Sequence, residues 1–270
     1  MHLVIFYSSL IAVLAVRRGG AVSNSEIYIL WWRQMKRYLR TRSRIVGAIG
    51  QPILFLLALG YGIGGVYKKA GEGNYIHFLV PGVIMQTILF SGVFWGIQIL
   101  FDKRFGFLKE MMVAPVSRLR ILLGNALGGA TISLIQGIFV LIISFAFGFR
   151  PDWAQLPLAA LIMVAMTLAL TSFGAGIASI VEDFQGFQAI NNFLIFPLFF
   201  LSSALYPLTN APTVLRFLTT INPLTYGVDG LRYALLGTSH FSIGKDLIVI
   251  AVTLVVCVAF AVNRFERLEA

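Results

Sequence analysis

Long apolar runs without a single formal charge divide this chain. Residues 45–67, 78–101, 121–149, 153–181 and 184–215 contain no Asp, Glu, Lys or Arg. A helix needs about 20 such residues to cross roughly 30 Å of hydrocarbon. A sixth run, 247–263, has only 17 residues, but Lys245 and Arg264 flank it and can snorkel to the two interfaces. The expected fold is therefore an all-α membrane protein with six crossings, at about 45–67, 78–101, 121–149, 153–181, 184–208 and 246–263. Composition agrees: 58% of residues are apolar and 12% charged, whereas soluble domains carry about 25% charged residues.

The net charge of +10 sits in short blocks between the runs, which argues for lipid headgroups and against nucleic acid. Residues 17–44 hold eight Lys or Arg, 102–120 hold five and the tail from 264 holds two, against six in the other connections. The positive-inside rule then places both termini and the 102–120 loop in the cytoplasm of a multi-pass cell-membrane protein. Residues 1–24 are set apart as an N-terminal extension. The apolar stretch 3–16 is too short to span comfortably, and Arg17 and Arg18 follow it, whereas a signal peptide is preceded by its charge.

Between 25 and 44, Tyr28, Trp31, Trp32, Met35 and Leu39 recur at helical spacing. Arg33, Lys36, Arg37, Arg40 and Arg44 repeat that spacing on another face. An amphipathic helix lying at the membrane interface is expected, with Trp31, Trp32, Arg33, Lys36, Arg37 and Arg40 facing headgroups. Pro52, Pro81 and Pro197 fall inside runs, where neighbouring helices can satisfy the freed carbonyls. Gly124 and Gly128 form a small-xxx-small pair for close helix packing. The segment NAPTVLRFLTTINPLTYGVDGLRYALLGTSH, residues 210–240, is amphipathic, broken at Asn222–Pro223, and carries Arg216, Asp229 and Arg232. It is expected as a pair of re-entrant helices near the outer face.

Chemistry is sparse. There is no G-x-x-x-x-G-K-[ST], G-x-S-x-G or H-E-x-x-H; Glu182 and Asp183 would diverge by about 100° on a helix, and the lone Cys257 excludes an intrachain disulfide. No enzyme activity, metal or bound cofactor is expected of this chain. The apolar runs lack ionisable groups, so no proton or sodium relay is legible and energy is expected through a loop. The candidate is the segment 101–129, which opens as a short amphipathic helix where Asp102, Lys103, Arg104, Lys109 and Glu110 ring Phe105, Phe107, Leu108, Met111 and Met112. Pro115 ends that helix and Ser117 stands as the cap of the next one.

The segments EIYILWWRQMKRYLRTRSRIVGAIGQPILFLLALGYGIG, FDKRFGFLKEMMVAPVSRLRILLGNALGG and NPLTYGVDGLRYALLG resemble the ABC-2 type permeases. They are nearest the daunorubicin-resistance and nodulation lipo-oligosaccharide exporter subgroup, over about residues 26–268. The resemblance implies a homodimer whose six crossings per copy form half a pore, with two copies of a separately encoded ATPase carrying ATP and Mg. It also implies an elbow helix at 25–44, a coupling helix at 101–113 that includes Asp102, Arg104, Phe105, Gly106, Leu108, Lys109, Glu110 and Pro115, and re-entrant helices at 212–237. Export of an amphipathic drug, lipid or lipid-linked sugar follows by the same resemblance. Gln51, Asn191 and Asn192 are the polar candidates for a substrate path between the first and fifth crossings. A secondary carrier or channel uncoupled from ATP is the rival reading.

Overall fold

A computed structural model describes residues 25–69, 74–107, 117–208 and 212–267. Among them the chain is helical with no β-strand. Helix α1 spans Ser25–Arg40, with Glu26 in its first turn and Arg37 and Arg40 in its last, the charge order that a helix dipole favours. It stops at Thr41, whose hydroxyl donates to the Arg37 carbonyl at 3.0 Å. Helix α2 (Arg42–Lys69) tolerates Pro52 in its interior. Helix α3 (Tyr75–Phe94) is capped by Asn74, whose side chain accepts the Ile76 N–H, and it continues through Trp95 into α4 (Gly96–Arg104). Helix α4 ends at Phe105, beside Gly106 in the left-handed region at φ 80°.

Helix α5 (Arg118–Ser144) begins after Ser117, which occupies the cap position but makes no side-chain capping bond. A 3-10 turn, Phe145–Phe147, leads to Gly148 at φ 81°. Helix α6 (Leu156–Ile180) follows, with proline in its first turn. Helix α7 (Phe184–Ile190) is capped by Asp183, so that carboxylate serves the backbone rather than chemistry.

Among the described residues, five helical segments are long and apolar enough to cross a membrane: Ile45–Gly62, Tyr75–Arg104, Arg118–Phe147, Trp153–Ile180 and Ile243–Glu266. The 184–208 stretch is built differently. Helix α7 widens into a π-turn, Asn191–Ile195, then re-forms as α8 (Phe196–Phe200) before a turn with Ser203 at φ 55°. Pro197 lies just beyond the wide turn; having no N–H, it cannot continue the regular ladder. Helices α9 (Thr213–Ile221) and α10 (Pro223–Leu236) meet at Asn222, whose side chain caps α10 and donates to the Leu198 carbonyl at 2.6 Å. Helix α11 is Ile243–Glu266.

Helix α3 lies at the centre, packed by α2, α5, α6 and α10, while α6 also carries α4 and α11. Backbones approach closely at one junction: a Cβ at Gly174 would lie 2.7 Å from the Val93 Cα and still nearer its carbonyl oxygen. The outer helices instead leave large apolar side chains exposed, among them Val46, Leu54 and Tyr61 on α2 and Ile248, Val252 and Val255 on α11. A surface of this kind suits hydrocarbon, not water.

Two carboxylates flanking the uncharged runs are enclosed at helix ends. Asp102 is buried in the last turn of the Tyr75–Arg104 segment and Asp246 in the first turn of α11. Both stood just past the edge of an uncharged run, where hydropathy treats a residue as exposed. The fold carries the helix one turn further and encloses them.

Candidate functional site

Helix ends gather on two opposite faces. On the first face, Arg118 Nη1 donates to the Glu266 carbonyl at 2.6 Å and Arg120 pairs with Glu26 at 3.0 Å. These contacts bring the start of α5, the end of α11 and the start of α1 together. The other face joins Tyr75 to the Leu205 carbonyl at 2.8 Å and Asp152 N–H to the Leu235 carbonyl at 2.8 Å.

Asp102 is the buried anion of the first face. Arg33 Nη2 donates to its Oδ2 at 2.9 Å, Arg37 stands 3.8 Å from Oδ1, and Gln98 Nε2 approaches Oδ1 at 3.5 Å. One carboxylate thus meets two guanidinium groups from α1. The pair lies behind half-buried arginines, where removal of one partner strands a desolvated charge. The six residues expected at the headgroups therefore divide. Arg33 and Arg37 turn inward to α4, Trp31 donates from Nε1 to Thr131 on α5 at 3.0 Å, and Trp32, Lys36 and Arg40 remain exposed.

Helix α1 lies flush on α5 because α5 is glycine there. A Cβ at Gly124 would come 2.7 Å from Leu30 Cβ, and one at Gly128 would come 2.7 Å from Gln34 Cβ. Gln34 Nε2 donates to Asn125 Oδ1, and Gln136 Nε2 donates to the Tyr38 hydroxyl at 3.0 Å. Sequence reading missed these four polar residues. The available signal was their spacing: Gln34 and Tyr38 are one turn apart, and Asn125 and Gln136 share a face three turns apart within an otherwise apolar run. If the Trp31 bond behaves as an ordinary interhelical hydrogen bond, Trp31→Phe should cost no more than about 1 kcal/mol. Thermal unfolding in detergent reads this, and a loss several times larger would assign Trp31 a further role.

Beyond Asp102, the Arg104 guanidinium lies 5.4 Å from the Phe184 ring centroid, and Phe105 is exposed next to Gly106. Leu108, Lys109, Glu110 and Pro115 lie outside the described residues, as do residues 1–24. Of the substrate-path candidates, Asn191 is buried in the π-turn, while Gln51 on α2 and Asn192 are exposed. The Phe55–Phe199 ring contact, with centroids 6.4 Å apart, sets α2, which carries Gln51, against α8, the helix that follows the π-turn holding Asn192.

The opposite face holds a second buried ionic group that sequence reading left unassigned. Asp229 accepts the backbone N–H groups of His240 and Phe241 at 2.7–3.0 Å and stands 3.7 Å from Arg232. Arg232 donates to the Ser203 carbonyl at 3.1 Å, and its guanidinium lies 4.1 Å from the Phe78 ring centroid. Burial draws this guanidinium down to about 10 against the Asp229 charge, so it remains cationic near neutrality. Asp246 faces Gly230 of α10, and neither carboxylate oxygen has a hydrogen-bond partner among the described residues. No group of three or more His, Cys, Asp or Glu suited to a metal occurs among the described residues.

A family model described as ABC-2 type transporter matches residues 25–236. The chain is 28% identical over 248 residues to a Cyanophora paradoxa protein named transport permease ycf38, covering 84% of each. It is 27% identical over 215 residues to the inner membrane transport permease YadH of Escherichia coli K12, covering 77% of this chain and 82% of that one. Nodulation protein J of Rhizobium leguminosarum bv. trifolii is 27% identical over 226 residues, covering 81% of this chain and 83% of its own.

Proposed function

The chain belongs to the ABC-2 type transporter family, and from that membership we propose that it is the permease subunit of an ATP-binding-cassette exporter. In this reading it forms a homodimer that works with two copies of a separate ATPase, which binds ATP and Mg. The chain itself catalyses nothing. Its substrate is an amphipathic drug, lipid or lipid-linked glycan leaving the cytoplasm or inner leaflet. Six crossings are proposed, with 184–208 supplying the fifth, both termini cytoplasmic, α1 as the elbow helix, and α9 and α10 as the outer re-entrant pair. Gln51 and Asn192 line the substrate path, with Asn191 bracing the turn behind them.

One observation carries the reading. The root of the proposed arm, Asp102 at the end of α4, lies at the face where Asp102, Arg118, Arg120 and Glu266 tie four helices together. A force applied there reaches rigid elements directly. Lys109, Glu110, Leu108 and Phe105 are the arm's proposed contacts with the ATPase, and Gly106 and Pro115 bound it.

The test is transport in proteoliposomes holding the chain and its ATPase, with daunorubicin as probe. ATP should drive export, and charge reversal at both Lys109 and Glu110 should abolish it while the permease stays folded. Export that survives ATP depletion would instead support a secondary transporter. Asp246 is the observation that favours that rival, because an ionisable residue enclosed at the end of a membrane helix is a usual mark of ion coupling.

A further inference from the structure

We propose that Arg33 and Arg37 are positioning residues that deliver the ATPase stroke sideways, from the root of the arm through α1 into α5. The inference rests on the exporter reading above. The chain offers one obvious route for that force, along the backbone from the arm into Ser117 and α5. The structure supplies a second. Asp102 sits at the arm's root, immobilised by burial, and its ionic partners belong to neither α4 nor α5 but to α1.

From α1 onward the connection is stiff. Trp31–Thr131, Gln34–Asn125 and Tyr38–Gln136 are polar ties to α5 on successive turns, and Glu26–Arg120 adds a fourth at the start of α1. Gly124 and Gly128 leave no space between the two backbones for sliding. Such packing has few alternative arrangements, so α1 and α5 move as one body. Helix α1 is then more than an anchor on the leaflet. It is the lateral member of a frame whose corners are Asp102, Glu26–Arg120 and the Arg118–Glu266 contact. Exposed Lys36 and Arg40, on the same helix, take no part in the frame.

Coupling between nucleotide and transport is a free energy shared by two sites, and losing one of its carriers changes the linkage rather than either site. The measurement is therefore a ratio: daunorubicin exported per ATP hydrolysed, in proteoliposomes containing the permease and its ATPase. Arg33→Gln with Arg37→Gln should keep the ATPase bound and hydrolysing while the ratio falls about fivefold or more. Arg33→Lys with Arg37→Lys, which retains both charges, should recover most of it. Asp102→Asn, near-isosteric and cut from the same network, provides an independent variant should the double change fail to assemble, and its ratio should fall likewise. Hydrolysis and export declining in parallel would overturn the proposal, since that marks a folding or docking role. An unchanged ratio would overturn it too. Wild-type vesicles whose export ignores ATP would sink the exporter reading itself, a result distinct from either.

Discussion

Asp229→Ala should be among the most damaging single substitutions in this protein, costing about 3–5 kcal/mol, the usual effect of stranding a buried charge. Two losses coincide. The His240 and Phe241 N–H groups lose their acceptor, and Arg232 is left beneath Phe78 without its counter-charge. The damage should spread to the turn at Ser203, which holds a left-handed φ of 55° while its carbonyl accepts from Arg232. Unfolding followed in detergent would show a large drop in midpoint and a smaller folded fraction. The double change Asp229→Ala, Arg232→Met removes charge and partner together and should be milder than Asp229→Ala alone. A double variant as unstable as the summed singles would mean the ion pair is not the source of the loss.

Gly174→Ala should approach the same magnitude by a purely steric route. The added methyl meets backbone, the Val93 carbonyl and Cα, and no rotamer change can clear it. Gly96 is in turn closed by the Gly174 carbonyl, so α6 cannot retreat from one contact without altering the other. Overpacking typically costs about 1–3 kcal/mol, and with backbone on both sides the upper end or beyond is expected. Gly62→Ala, where a Cβ meets nothing within 4 Å, serves as the control and should be neutral or slightly stabilising. If both alanines behaved alike, the close approach of α6 to the α3–α4 junction would be disproved.

These sites show which layer of the molecule the linear pattern records. Apolar length marks where helices run, because hydrocarbon demands internally satisfied backbone whatever the neighbours are. Thus the runs at 45–67, 78–101, 121–149 and 153–181 each coincide with a long helix. Length says little about where a helix turns. The 184–215 run reads as one oversized segment, yet Pro197 and the two asparagines divide it into α7, a π-turn and α8. Hydropathy also assigns charges to loops by default. It placed Asp102 at the root of an exposed arm and Arg33 and Arg37 among headgroups, when their mutual attraction folds all three inward. A one-residue-at-a-time scale has no means of representing a pair 69 positions apart. The Gly124–Gly128 spacing did announce a helix contact, but not that its partner would be α1.

The wide turn at Asn191–Ile195 is, in effect, a helix carrying a surplus residue. Everything after it is turned by about 100° relative to a regular continuation. The outward bearing of Phe196 and Phe200, and the inward bearing of Phe199, are set by that single insertion and not by their own side chains. Evolution could therefore re-aim a whole aromatic wall by losing one amino acid, without substituting any of the rings that compose it.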